Sequence, residues 1–332
     1  MNIPFCNGTA CKINSPGLHE NVMKECDKLF GFHIKRNAFP GPQPVAVEKK
    51  DFGSQGGLLK KNNYVVCEKT DGERGILLLI SIDSKPMCFL INRNNELLFL
   101  SLSFKREMFE GTIMDGEVIK TKDGKWNFLI HDCMFYNGRD FTKKNHSFRY
   151  AAIIDFITKR YVNKESDPFN IKTKQFFKYG NQIETTWEHI KKTTENEIDG
   201  LIFTPISEPI KLGRQYSLLK WKDQDNHTID LLVTGNKKKI TLSYTKNGAS
   251  EVFKIFKPNE PNYIRIVDYL EAHNIFLKSK DSLIIEFKYS LNSEIFTPYR
   301  IRTDKSVPNS EITLNNTLKN ITESIGITDF FN

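Results

Sequence analysis

From Tyr64 onward the chain is written in short apolar, β-branched and aromatic runs, and that pattern limits the folds open to it. Runs at 64–67, 75–81, 87–92, 96–101 and 112–119 read as strands, and more strand follows the turn Lys122-Asp123-Gly124 at 127–136. Helical periodicity is local. Segment 17–31 carries the stripe Leu18, Val22, Met23, Cys26 and Leu29 and stops at Gly31, while 147–160 and 184–195 also read as helices. Phe39-Pro40-Gly41-Pro42-Gln43-Pro44 is extended and incompatible with helix. Strand returns at 200–204 and 217–221. The expected class is α+β, with antiparallel sheets and flanking helices.

After Asp230 the pattern becomes a plain succession of short strands at 229–234, 239–245, 250–256, 282–289 and 295–302. The turns Gly235-Asn236 and Asn247-Gly248 separate some of them, and 263–273 reads as one intervening helix. Such an order predicts a small Greek-key barrel of the OB type. Pro308-Asn309-Ser310 opens a last helix with the stripe Leu314, Leu318, Ile321 and Ile325. A length of 332 residues, 39% of them hydrophobic, fits one large domain plus a smaller one. The join is expected near 231–237, giving a first domain over 1–232, an OB fold over 233–310, and a helix over 311–332 that packs back on the first domain.

A net charge of +8 suits a polyanionic partner, although a merely soluble basic protein would have it too. No apolar run approaches the roughly 20 residues that cross a bilayer, and the start Met1-Asn2-Ile3-Pro4-Phe5-Cys6 lacks the features of a secretory signal. An intracellular protein with no membrane partner is expected. The six cysteines are scattered without a Cys-x-x-Cys pair, which argues for reduced thiols rather than zinc.

Glu68-Lys69-Thr70-Asp71-Gly72-Glu73-Arg74-Gly75 carries the sharpest chemical signal. A lysine at a strand end, followed by a turn that returns Arg74 toward it, can aim an amine at a bound phosphate. A lysine amine ordinarily titrates at about pH 10.4 and is a poor nucleophile until cationic neighbours or a metal favour its neutral form. Lys220 and Lys222 alternate with Trp221 and so project from one strand face. Asp115-Gly116-Glu117 and Asp199-Gly200-Leu201-Ile202 read as carboxylates at strand ends, which suits a divalent ion held with phosphates. Asp-Gly alone is also a common turn signal. Arg214 and Asp230 add phosphate-region residues, and Arg300-Ile301-Arg302-Thr303-Asp304-Lys305 ends the expected barrel with cations around an acid.

Together and in this order, these motifs resemble the lysine-dependent nucleotidyltransferases, which include polynucleotide ligases and mRNA capping enzymes. The closest likeness is to the RNA guanylyltransferase of capping enzymes, particularly the compact form of large DNA viruses, from about Phe39 to the last helix. Phe39-Pro40-Gly41-Pro42-Gln43-Pro44-Val45, Asp199 where ligases usually carry Glu, Trp221-Lys222 with Thr228-Ile229-Asp230, and Arg302-Thr303-Asp304-Lys305 leading to Pro308-Asn309 favour capping. The resemblance implies a nucleotidyltransferase domain followed by an OB domain, with GTP as substrate and Mg²⁺ or Mn²⁺ as metal. It implies that Lys69 holds GMP, that Arg74 and Glu117 contact the ribose, and that Arg93, Arg214, Lys220 and Lys222 bind phosphates. Asp199 and Glu117 would hold metal, with Asp230 in the phosphate region. Lys174 would read guanine O6, and Arg302, Asp304 and Lys305 would orient the leaving pyrophosphate as the barrel closes. His131 precedes Asp132 where an aromatic often stacks on the base, and it can serve as the stacking ring or as a rim residue. The partners implied are an RNA 5′ end and, as other proteins, an RNA triphosphatase, a cap methyltransferase and the transcription machinery. The protein would be a monomer in the nucleus, or at a viral replication site or virion. An ATP-dependent ligase is the alternative enzyme, and a silent RNA-binding module the alternative of another class.

Overall fold

A computed structural model describes residues 1–35, 38–52, 57–223, 227–236, 238–275, 281–303 and 305–331; Asp304 lies outside the described residues. The chain divides into two units, Met1–Trp221 with Phe330–Asn332, and Lys222–Asp329.

The first unit is built on a nine-stranded sheet. Its order is Asn2–Phe5, Gly8–Lys12, Leu97–Phe99, Lys85–Asn92, Glu73–Ile82, Thr112–Lys120, Trp126–Tyr136 and Arg139–Asp140, with Asn170–Thr173 parallel to Trp126–Tyr136. Successive residues of Glu73–Ile82 serve opposite faces. Leu77 and Leu79 join Leu90, Phe128 and Phe156 in one core, while Ile76, Leu78 and Ile80 join Phe89, Ile91 and Ile113 in another. Burial on both faces explains why this strand is a nearly continuous apolar run. The helix Pro16–Phe30 closes the second core with Val22, Met23 and Cys26. Its ends are set by local chemistry: the Ser15 hydroxyl accepts from the Leu18 amide, and Gly31 takes the left-handed conformation at φ 73°.

A five-stranded sheet completes this unit in the order Phe177–Lys178, Tyr64–Thr70, Ile198–Pro205, Gly213–Lys222 and Pro42–Ala46. The helix Ile183–Thr193 buries Ile183, Trp187 and Ile190.

The second unit is a five-stranded antiparallel sheet in the order Ala249–Phe256, Lys239–Lys246, Thr228–Asn236, Ser282–Ser290 and Ile295–Ile301. The strand order and the helix Pro261–Ala272 between the third and fourth strands are those of an OB-type Greek key. No ladder among the described residues joins the third strand to the fifth, so the sheet is open at that edge. Two boundaries differ from the sequence reading. A join at 232/233 would cut the strand Thr228–Asn236, whose Ile229, Leu231 and Val233 all belong to the second core. The helix Glu311–Glu323 also belongs there, through Leu314, Leu318 and Ile321; only Phe330–Asn332 return to the first unit.

Candidate active site

Lys69 lies next to the end of the strand Tyr64–Thr70, opposite Gly200. The ladder slips between Ile198 and Gly200, leaving Asp199 as the extra residue. A bulge of this kind re-aims a side chain out of the regular alternation. Asp199 Oδ1 accepts from Lys69 Nζ at 2.7 Å, and the two side chains are 18% and 20% exposed. The lysine side chain is therefore partly exposed, with its amine held by an oriented acceptor.

The turn after Lys69 is fixed by close packing. A Cβ on Gly72 would lie 2.3 Å from Ile119 Cγ2 and 2.7 Å from the Val118 carbonyl oxygen. Glycine lets the turn lie against the strand Thr112–Lys120, which puts Arg74 directly opposite Glu117. Arg74 donates to both oxygens of Asp115, Nε to Oδ1 at 2.9 Å and Nη2 to Oδ2 at 2.5 Å, with its guanidinium 5.2 Å from the Phe39 ring centre. His131 Nε2 approaches Asp115 Oδ1 at 3.3 Å. Full burial pushes the Asp115 carboxyl up, but Arg74 and His131 outweigh it and hold the group well below the usual carboxylate range.

Glu117 accepts from Thr70 Oγ1 and, at 3.0 Å, from Lys174 Nζ. Burial raises its pKa, and Lys174 with Thr70 brings it below the ordinary value. Lys174 is 3% exposed and also donates to the Glu68 carbonyl at 3.2 Å and Thr70 Oγ1 at 2.8 Å. Burial pulls its pKa down, and Glu117 more than offsets this. All three ammonium hydrogens have acceptors, so a contact to guanine O6 would require one bond to be exchanged.

The strand-end reading of Asp115-Gly116-Glu117 is corrected: these residues sit inside Thr112–Lys120. A Cβ on Gly116 would meet the Phe128 ring at 2.6 Å and the Leu129 carbonyl oxygen at 2.8 Å. The glycine allows a close approach between strands rather than a turn.

The first unit thus brings together Lys69 with Asp199, Arg74 with Asp115 and His131, and Glu117 with Lys174. Arg93 is exposed beside Arg74; partial desolvation and that neighbour lower its pKa. Arg214 is exposed at the start of Gly213–Lys222, and Lys220 and Lys222 are half-buried at its end, flanking the buried Trp221. Among the described residues no three His, Cys, Asp or Glu side chains form a metal cage.

Asp230, Arg302 and Lys305 belong to the second unit. Asp230 accepts from Arg302 Nη1 at 3.0 Å and from Lys305 Nζ. Across the ladder stands Glu286, which accepts from Arg300 Nε, from Thr228 Oγ1 at 2.5 Å and from Arg302 Nη1 at 3.5 Å. Sequence reasoning gave no individual role to Thr70 or Phe39 and did not single out Glu286. Thr70 was legible as the neighbour of Lys69, whereas Glu286 stands out only once its strand is paired with that of Asp230.

A family model described as "mRNA capping enzyme, catalytic domain" matches residues 11–224. The chain is 32% identical over 220 residues to the mRNA-capping enzyme subunit alpha of Yarrowia lipolytica, covering 59% of this chain and 54% of that protein. With the Saccharomyces cerevisiae subunit alpha the identity is 33% over 232 residues, 61% of this chain and 49% of the relative. With the mRNA-capping enzyme of Mus musculus it is 28% over 308 residues, 87% of this chain and 48% of the relative. The chain spans about half the length of the curated relatives it matches.

Proposed function

The chain belongs to the mRNA capping enzyme catalytic-domain family, and we propose that it transfers GMP from GTP to the 5′-diphosphate end of RNA through a lysyl-GMP intermediate. The observation that carries this is the amine of Lys69, held 2.7 Å from Asp199 on a partly exposed side chain, next in sequence to Thr70, which with Lys174 bonds Glu117.

In the first half-reaction Lys69 Nζ, having given up a proton, attacks the α-phosphorus of GTP. A P–N bond forms, the bond to the bridging oxygen breaks, and pyrophosphate leaves with the electron pair. In the second, a terminal phosphate oxygen of RNA attacks the same phosphorus and the P–N bond breaks, freeing the lysine. Asp199 Oδ1 orients the amine before attack. Arg74, fixed by Asp115 and Phe39, has one nitrogen beyond those bound to Asp115 and is assigned with Glu117 to the ribose. Arg93, Arg214, Lys220 and Lys222 are assigned to phosphates, His131 to the base, and Arg302 and Lys305 to the leaving pyrophosphate.

A Mg²⁺ or Mn²⁺ ion needs one or two carboxylates beside phosphates and waters, and Asp199 fits that need. Glu117 fits less well, because one of its oxygens already accepts from both Thr70 and Lys174. Bound there, the ion would neutralise charge on the phosphates. The activity goes with a place of transcription, the nucleus or a viral replication site. Incubation with α-labelled GTP and either metal, followed by a denaturing gel, should show an acid-labile, alkali-stable label on Lys69. Label from ATP instead of GTP would point to a ligase.

A further inference from the structure

The strand Gly213–Lys222 alternates between two environments. Gln215, Ser217, Leu219 and Trp221 are buried, and Arg214, Tyr216, Leu218, Lys220 and Lys222 point the other way. Trp221 meets Phe330, which stacks on Phe203, and Tyr179 links Phe203 to Tyr64. One aromatic cluster therefore covers the face that holds Tyr64. Lys69, an odd number of residues away on the same strand, belongs to the opposite face. Lys69, Lys220 and Tyr216 thus share one face of the five-stranded sheet.

Tyr216 is unusual on that face. Its side chain is 68% exposed, and among the described residues it has no hydrogen-bond or ring partner. The ladder with Pro42–Ala46 is irregular at this point: its register skips from Gln215 to Leu219 and leaves Tyr216, Ser217 and Leu218 without partners on that strand. Irregularities of this kind re-aim side chains and gather beside active sites. Arg214 is exposed on the same face and has no carboxylate partner among the described residues. The ring also stands well down the face from the reacting amine. The Tyr64 hydroxyl donates to the carbonyl of Ser217, the next residue, at 2.9 Å, and Tyr64 and Lys69 lie toward opposite ends of Tyr64–Thr70, roughly 17 Å apart at about 3.4 Å per residue. Along its own strand Tyr216 is roughly 13 Å from Lys220.

An exposed ring set in a line of cations is the combination with which proteins hold single-stranded nucleic acid, the bases stacking on the ring while the backbone follows the positive charges. We propose that Tyr216 stacks on a base of the acceptor RNA near its 5′ end and so positions the strand while its terminal phosphate reaches the GMP on Lys69. The inference rests on the guanylyltransferase reading for the identity of that RNA as acceptor.

The test uses the full chain loaded with labelled GMP, stripped of free nucleotide, and chased either with diphosphate-ended single-stranded RNA or with pyrophosphate, which reverses loading without RNA. Tyr216→Ala should raise the RNA concentration for half-maximal transfer about tenfold, the scale of one base–aromatic stack. The rate at saturating RNA, GMP loading and discharge by pyrophosphate should stay as they are. Tyr216→Phe and Tyr216→Trp, which keep a ring, should behave like the unmodified protein. An unchanged RNA requirement in Tyr216→Ala overturns the inference. So does a matching rise in the GTP concentration needed for loading, which would assign the ring to GTP, and so does a Tyr216→Phe protein as defective as Tyr216→Ala, which would make the hydroxyl the contact. Titration of a fluorescent single-stranded RNA, read by anisotropy, needs no catalysis. If the unmodified protein fails to load GMP, the proposed activity falls; RNA affinity about tenfold weaker in Tyr216→Ala would still support the ring, and equal affinity would reject it.

Discussion

Beside Lys69 each buried carboxylate has its own cation, whereas in the second unit two carboxylates share three. In the first unit Asp115 is matched by Arg74 on the neighbouring strand, and Glu117 by Lys174, which follows the strand Asn170–Thr173. In the second, Asp230 and Glu286 stand directly opposite each other across a ladder, 6% exposed each, a placement that repels unless neutralised. Arg300, Arg302 and Lys305 provide that neutralisation. A matched set is suited to holding geometry. A shared set ties several side chains to one pair of carboxylates.

The sharpest way to break this contrast is at Lys69. Lys69→Arg keeps the charge next to Asp199 but puts a guanidinium, never deprotonated in proteins, in place of the amine. The expected outcome is complete loss of labelled adduct. A residual band of even a few per cent would move the covalent chemistry to another residue.

Next in size is Asp115→Asn. Removing one partner of a buried ion pair leaves the other uncompensated and costs about 3–5 kcal/mol. Urea unfolding should show that loss together with reduced GMP loading. The pH dependence follows from the same group. Because the folded-state pKa values of Asp115 and Glu117 lie below ordinary carboxylate values, their stabilisation is fully present above about pH 4.3 and is lost as the pH falls from there through the depressed values. The wild-type protein should therefore lose stability on acidification more steeply than Asp115→Asn; parallel curves would mean that the pair contributes little.

Arg302→Ala tests the other side. A charge-assisted contact is worth roughly 1.5–3 kcal/mol, so lysyl-GMP formation should slow by about ten- to a hundredfold. Adduct isolated from the variant should pass GMP to RNA at nearly the normal rate, since pyrophosphate is then gone. Equal damage to both half-reactions would show that Arg302 does not serve the leaving group. Lys305→Ala should have the smallest effect. Its side chain is about a third exposed, and partly screened pairs contribute about 1 kcal/mol or less. A roughly fivefold slowing of adduct formation is expected, and a loss larger than that of Arg302→Ala would reverse their ranking.

How much of this was legible beforehand depended on the range of the forces involved. The helix Pro16–Phe30 was readable because its stripe, its Ser15 cap and Gly31 are all local. The strands were readable as runs, and the ordered motifs named Lys69, Arg74, Glu117 and Asp199, each of which the fold places in an ion pair. What escaped was set by pairing between distant segments. Gly116 looked like a turn because nothing local reveals the Phe128 ring behind it. The bulge that aims Asp199 at Lys69 exists only in the ladder with Tyr64–Thr70. The burial of Lys174 among Glu68, Thr70 and Glu117 draws on residues up to 106 positions away. The hairpin Asn2–Phe5 with Gly8–Lys12 has no clear run of its own, and its Pro4 is tolerated because the strand lies at a sheet edge.

Phe330 stacks on Phe203 with ring centres 5.0 Å apart and an interplanar angle of 2°, and its edge meets Trp221 and Phe52. The polypeptide therefore leaves the first unit just after Trp221 and is stapled back beside the point of departure. Everything between is a closed loop whose ends are riveted by a cluster of rings. Phe330→Ala would withdraw the rivet and leave one stem. Its signature would be faster proteolytic cutting around Ile325–Asp329 and a shift in Trp221 fluorescence, with the core strands as well protected as before.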